Sequence, residues 1–359
     1  MPVVEWDQHA SNVPAAAAAC RAGGAPGIRQ IRAALAGAGD ARRDALEFAT
    51  DVWRGLTDTP RWIPSRWLYD EQGSGLFEEI CELPEYYLTR TEAGILQRLR
   101  ETIVQETGPV TLVEFGAGDA RKTDLLLEEY LRHGHDVGYL PVDVSSSALD
   151  AATKRITTRF PRVRVTPVVG SYEAAFAAPG DHAPVMLVFL GSTFGNMDAA
   201  AAASFWTAVS QASPAGTWFL LGVDLVKGAA EVEAAYNDQR GVSAAFTRNL
   251  FARMNRELAT RIDLDALEHV ARWNHAWCRV EIGARFTRAQ VVELDLLGRV
   301  VPLEAGAFVL TEISRKFHAE RLSGQLSSYG WSTVQLATDP ERRYAVLLLR
   351  RDAPGARRG

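Results

Sequence analysis

Between Val110 and Val226, short apolar runs alternate with segments of helical period, and this alternation limits the fold more than any other feature of the chain. The runs are VTLVEF, VGYLPVDV, VRVTPVV, PVMLVFLGS and GTWFLLGVDLV. Three segments of helical pattern separate them: RKTDLLLEEYLRHG, SSSALDAATKRITTRF and AAAAASFWTAVSQAS. Short buried strands separated by helices build βαβ units, and right-handed crossovers lay such strands in one parallel sheet. The alternation stops at Lys227. Beyond it come helical stretches (AEVEAAYND, AAFTRNLFARMNREL) and alternating runs that read as antiparallel strands (CRVEIGARF, QVVELDLLG, RVVPLEAGAFVLTEIS). A helix, FHAERLSGQLSSYG, and two strands, WSTVQLATD and RRYAVLLLRRD, complete the chain. The expected fold class is therefore α/β, with residues 227–316 inserted as an α+β unit between a core at 91–226 and its closing elements at 317–359.

Upstream, residues 1–40 are rich in Ala, Gly and Pro and read as a loosely ordered extension. ARRDALEFATDVWR has a helical pattern, and Thr91–Gln105 reads as an amphipathic helix. Between them lies a stretch dense in Trp, Tyr and Pro, a composition that commonly covers a ligand.

Composition excludes several classes. The net charge is −5, with Lys and Arg dispersed, whereas a nucleic-acid binder needs a clustered basic face. Three scattered cysteines form neither a disulfide framework nor a CxxC metal site, and the seven histidines show no HExxH or HxxxH spacing, so no metal is expected. No apolar stretch reaches the ~18 residues of a membrane span, and no basic segment precedes the alanine run at the start. The expectation is a cytoplasmic monomer that takes a small molecule as its partner.

The turn in VEFGAGDARKT decides which small molecule. A phosphate loop GxxxxGK[ST] is absent, because Arg121 precedes Lys122 and Thr123. Gly116 and Gly118 open a dinucleotide GxGxxG, but Arg121 occupies the third glycine position, which demotes an NAD(P) oxidoreductase. S-adenosylmethionine carries no phosphate and needs only close backbone approach, which residues without Cβ allow. It also needs a carboxylate at the end of the next strand for the ribose hydroxyls, and Asp143 stands there.

WLYDEQGSGLFEEICELPEYYLTRTE, VEFGAGDARKT, FLGSTFGNM, GVDLVK, AAYND, HVARWN and LTEISRKF resemble, in order and spacing, the histidine Nα-methyltransferases of ergothioneine biosynthesis. The resemblance runs from about Thr59 to Leu349. It implies a Rossmann-like class I methyltransferase sheet with an inserted substrate-binding domain, residues 41–90 forming the first part of that domain. It also implies three methyl transfers from S-adenosylmethionine to the α-amino group of L-histidine, giving hercynine. Gly116, Gly118, Lys122 and Asp143 would then contact the cofactor. Tyr86, Gly191, Asn196 and Tyr236 would surround the amino acid's backbone groups, with Asn196 and Tyr236 at the carboxylate. Tyr69 would lie near the reacting amine, which places Tyr69, Tyr86 and Asn196 nearest the chemistry. Glu312 and Ser314 would bind the imidazole.

Two positions depart from the family pattern. Ser171 and Tyr172 stand where an acidic residue and an aromatic commonly read the adenine, and Ile282 replaces a methionine beside the substrate ring. The residue types suit the chemistry. A carboxylate facing an imidazole N–H makes a charge-assisted bond, and Glu312 and Ser314 are two apart in a strand, hence on one face. Tyrosine hydroxyls can aim a neutral amine, and an aromatic face such as Tyr86 tolerates the growing cation by ~0.5–2 kcal/mol. At this level a different amino acid, such as tryptophan or a histidine derivative, and a non-catalytic cofactor-binding homologue remain open.

Overall fold

The computed structural model describes residues 40–118, 120–143, 146–170 and 184–353. The extension expected up to residue 40 falls, apart from Asp40, outside these residues, as do Ser171 and Tyr172.

Helix α1 (Asp40–Thr57), a 3₁₀ turn (Ser65–Leu68), α2 (Glu71–Cys81) and α3 (Leu88–Thr107) precede the sheet. Then follow β1 (Thr111–Phe115), α4 (Asp124–Arg132), β2 (Gly138–Asp143), α5 (Ser146–Arg159), β3 (Arg164–Val165), β4 (Val168–Val169) and β5 (Val185–Phe189). A second 3₁₀ turn (Thr193–Asn196), α6 (Ala199–Ala212) and β6 (Trp218–Asp224) complete the alternating part. VRVTPVV is not one strand as expected but the two short pieces β3 and β4. Pro167 separates them, since its nitrogen has no hydrogen to give the ladder.

The insertion contains α7 (Ala229–Ala234), α8 (Val242–Glu257), β7 (Leu267–Asn274), β8 (Arg279–Phe286), β9 (Gln290–Leu294), β10 (Arg299–Leu303) and β11 (Phe308–Arg315). RVVPLEAGAFVLTEIS is likewise split, because the chain turns between β10 and β11. Helix α9 (Ala319–Ser328) and strands β12 (Trp331–Thr338) and β13 (Tyr344–Arg351) return the chain to the main sheet.

That sheet has the order β12-β13-β6-β5-β1-β2-β3, with β4 also beside β2. All its pairs are parallel except those of β13, which runs antiparallel to β6 and β12. Side chains alternate between two cores, as the pleat requires. Leu112, Met186 and Leu220 pack with Ile95, Leu96, Leu126 and Leu127 of α3 and α4. Val113, Phe115 and Phe219 pack on the other face with Phe205 and Trp206 of α6 and Leu322 of α9. Each such side chain, fully buried, contributes about 1.5–3 kcal/mol, and a sheet covered on both faces explains the near-continuous apolar runs. The chain leaves β1 towards β2 and later returns to β5 on the opposite side of β1. The ends of β1 and β5 therefore flank a switch point, where open α/β sheets bind ligands.

The insertion contributes two smaller sheets, β7-β8-β11 and β9-β10, all antiparallel. Upstream residues join the first: the Ile63 N–H donates to the Leu310 carbonyl at 2.8 Å, and the Leu310 N–H to the Arg61 carbonyl at 3.0 Å. Asp70, which caps α2, accepts from Asn249 of α8 at 2.7 Å. Two segments remote in sequence thus pack as one wall. Among the described residues no helix is long and apolar enough to cross a membrane.

Candidate active site

The turn after β1 is made by left-handed glycines, Gly116 at φ 63° and Gly118 at φ 51°. The Gly116 N–H donates to the Val142 carbonyl at 2.8 Å, and the Gly118 N–H to Asp143 Oδ2 at 3.0 Å. The carboxylate at the end of β2 is therefore tied to the turn at the end of β1. An added Cβ on Gly118 would meet no atom within 4 Å, so this turn borders open space. Close backbone access beside a carboxylate fits the adenosyl portion of S-adenosylmethionine.

Lys122 lies one step further in, and its partner was not foreseen. Its ammonium is 2.5 Å from Glu92, a fully buried carboxylate on α3. Glu92 also accepts from Tyr344 Oη at 2.7 Å and from the Gly191 N–H at 2.9 and 3.0 Å. A Cβ on residue 222 would lie 1.8 Å from Glu92 Oε1, so β6 needs glycine there for the carboxylate to rest on the sheet. Gly222 inside an apolar run was the only sequence signal for this contact.

Beyond Gly191 opens a cavity. Tyr69, Tyr86, Gly191, Asn196, Tyr236, Ile282, Glu312 and Ser314 all line it, although they come from six separate stretches of chain. Tyr69 ends the first 3₁₀ turn, Tyr86 precedes α3, and Gly191 and Asn196 follow β5. Tyr236 follows α7, Ile282 lies on β8, and Glu312 and Ser314 lie on β11. Aromatic edges stiffen the wall: Tyr69 meets Phe246 at 5.4 Å, and Tyr86 meets Tyr236 at 5.9 Å, between ring centroids. Gly116, Gly118, Lys122 and Asp143 sit outside this lining. The two sites adjoin at Gly191, where an added Cβ would lie 3.1 Å from Lys122 Nζ.

Glu312 accepts from Asn196 Nδ2 at 2.9 Å. Burial pushes its carboxyl up to about 7, against the pull of Lys316 and of hydrogen bonds from Asn196 and Tyr69. Its open face is the one towards the cavity. Ser314 Oγ lies 2.8 Å from Tyr236 Oη, and Lys316 Nζ donates to both oxygens at 2.8 Å. Lys316 was not foreseen either. Its third contact is Asp224 Oδ2 at 2.8 Å, and both side chains are wholly buried. Asp224 in turn accepts from Lys227 at 2.6 Å and from Tyr87 Oη at 2.8 Å. The signal available was period two: Glu312, Ser314 and Lys316 continue one alternation just past the end of β11. His269 belongs to the wall, with Nδ1 3.0 Å from Thr247 Oγ1 and Nε2 2.9 Å from the Tyr236 carbonyl.

A family model described as histidine-specific methyltransferase, SAM-dependent, matches residues 48–351. A histidine N-alpha-methyltransferase of Mycolicibacterium smegmatis is 39% identical over 316 residues, covering 87% of this chain and 96% of that protein. Its counterpart in Mycobacterium tuberculosis is 39% identical over 303 residues, covering 84% and 94%. Ergothioneine biosynthesis protein 1 of Schizosaccharomyces pombe is 30% identical over 204 residues, 54% of this chain but only 26% of that longer protein. The matched span runs from within α1 to the last residue of β13 and so takes in both the glycine turn and the cavity; the chain belongs to the histidine-specific, S-adenosylmethionine-dependent methyltransferases.

Proposed function

We propose that this methyltransferase transfers three methyl groups in succession to the α-amino group of L-histidine, producing hercynine for ergothioneine biosynthesis. The observation that carries the reading is the pairing of Glu312 with Ser314 on one wall of the cavity. An imidazole offers one N–H and one bare nitrogen, and a carboxylate beside a hydroxyl matches both. An indole offers an N–H for Glu312 but no bare nitrogen for Ser314, which disfavours tryptophan as the substrate. In this reading a free amino acid is the only partner, and the chain works as a cytoplasmic monomer. The sheet serves the cofactor, and residues 41–90 with 227–316 serve the substrate.

Gly116, Gly118, Lys122 and Asp143 would hold S-adenosylmethionine, which supplies an electrophilic methyl group when bound. The remaining work is positioning. Asn196 spends one amide proton on Glu312 and keeps the other for the substrate carboxylate, near Tyr236. The hydroxyl of Tyr69 and the ring of Tyr86 face the amine. No strong base is needed, because an α-amino group titrates near ~8 in peptides and only somewhat higher beside a free carboxylate, and neither tyrosine is an ion that would trap the ammonium form. Holding the neutral amine in line is worth up to ~7–11 kcal/mol.

The test is incubation with S-adenosylmethionine and each of the twenty common amino acids, followed by mass spectrometry. Mass gains of one, two and three methyl groups on histidine alone support the reading. Methylation of a different amino acid refutes the imidazole pocket.

A further inference from the structure

We propose that Lys316 makes the Ser314–Tyr236 hydroxyl pair a proton donor towards the cavity, so that the pocket accepts only a neutral imidazole carrying its N–H on the Glu312 side. The inference rests on the histidine reading above and assigns a positioning role to a residue that does not line the cavity.

Proton counting carries it. An ammonium has three N–H donors and no acceptor. Those of Lys316 go to Asp224 Oδ2, Tyr236 Oη and Ser314 Oγ, each at 2.8 Å. No donor is left over, and the side chain is wholly buried. Asp224 fixes the ammonium from behind, itself held by Lys227 and Tyr87. Each hydroxyl oxygen thus already accepts one strong bond. The two hydroxyls lie 2.8 Å apart, so one of their two protons joins them and the other must point elsewhere. Both residues line the cavity.

A phenol is the better donor and an alcohol the better acceptor, so Tyr236 gives its proton to Ser314. Ser314 then accepts from both Lys316 and Tyr236 and turns its own proton outward. If a substrate carboxylate draws the Tyr236 proton away instead, the Ser314 proton has two acceptors within reach, Tyr236 Oη, which already accepts from Lys316, and the bare ring nitrogen, and the unoccupied nitrogen is the better one. Glu312, two residues away on the same strand face, can only accept while ionised. One wall therefore presents a fixed acceptor and a fixed donor, complementary to a single tautomer of the neutral ring. Without Lys316, Ser314 would be free to rotate and accept, and the wall would no longer tell a bare nitrogen from a C–H or an N–H.

The experiment measures binding of L-histidine, L-pyrrol-2-ylalanine and L-pyrrol-3-ylalanine by calorimetry, with S-adenosylhomocysteine present. The pyrroles keep one ring N–H and lack the second nitrogen. Wild type should favour histidine about 10- to 100-fold. In Lys316→Met that preference should collapse, with histidine weakened by a similar factor and the tighter pyrrole changed less than about twofold. Equal weakening of all three ligands, as from a general loss of structure, overturns the proposal. A second measurement needs no variant: ¹⁵N resonances of labelled histidine bound to wild type should show one protonated nitrogen and one bare nitrogen accepting a hydrogen bond. A doubly protonated bound ring also overturns the proposal. Wild type that binds no histidine refutes the functional reading, whereas an unchanged preference in Lys316→Met refutes this inference alone.

Discussion

Glu114 and Glu312 are both buried carboxyls pushed up to about 7, yet they sit in regions built for different ends. Glu114 projects from β1 into the core, where Thr123 Oγ1 donates at 2.7 Å and Tyr139 Oη also donates to it. Its partners close over it. Thr123 immediately precedes α4, so the contact anchors the start of that helix just after the glycine turn. Glu312 projects from β11, with Asn196 and Tyr69 on its flanks and a cavity in front. The same desolvation fixes a fold in one place and leaves an unspent acceptor in the other. A perturbed carboxyl marks a functional site only when something can reach it.

The sharpest way to break this contrast is Glu312→Ala. Histidine methylation should fall by about 100-fold or more, while cofactor binding and thermal stability stay near wild type. An equal loss of cofactor affinity would mean that Glu312 holds the fold as Glu114 does. Asp143→Ala should come next. Removing the carboxylate that meets the Gly118 N–H should weaken S-adenosylhomocysteine binding about 10-fold or more, without altering which amino acid is chosen. Calorimetry reads both quantities.

Glu114→Gln should show the converse of Glu312→Ala. Disturbing the hydrogen bonds that Thr123 and Tyr139 make to this carboxyl should lower the melting temperature by several degrees, for a cost of about 1–3 kcal/mol, and leave histidine preference intact. A change in preference would show that the β1 region reads the substrate.

The pH dependence is the smallest effect and separates the two sites most finely. Both carboxyls are raised from an ordinary value of 4.5 to about 7, so the folded chain holds protons that the unfolded chain has released. Their contribution to stability is full below about 4.5 and is lost as pH rises through about 7. Glu114→Gln and Glu312→Gln should each flatten part of that decline in melting temperature between pH 5 and about 8. Saturating histidine should reproduce the flattening for Glu312 only, because its ring N–H needs the ionised carboxylate. Histidine affinity should accordingly drop below pH of about 7 in wild type, and less steeply in Glu312→Gln.

Much of this molecule was legible before its structure. The apolar runs located every strand of the parallel sheet, because a strand buried on both faces has few ways to be encoded other than an unbroken apolar run. The glycine turn and Asp143 could be paired by reading along a single βαβ unit, since the crossover brings successive strand ends together. The split of VRVTPVV at Pro167 was missed because its hydrophobicity is continuous and only the ladder's need for an N–H reveals the break. Glu92 and Asp224 were missed for another reason. Each is one acidic residue in a segment whose pattern is otherwise satisfied, and partners such as Tyr344 and Lys316 lie far along the chain.

Backbone course and the position of the glycine turn were thus set by local pattern, since pleat, helical period and glycine's left-handed freedom act over a few neighbouring residues. The cavity wall was decided only by the tertiary structure. Asn196, Tyr236, Ser314, Lys316 and Glu312 acquire their hydrogen-bond direction from one another, after the fold has brought together and buried the turn after β5, the end of α7 and β11. Desolvation and pairing depend on what lies across the cavity, which no stretch of sequence carries by itself.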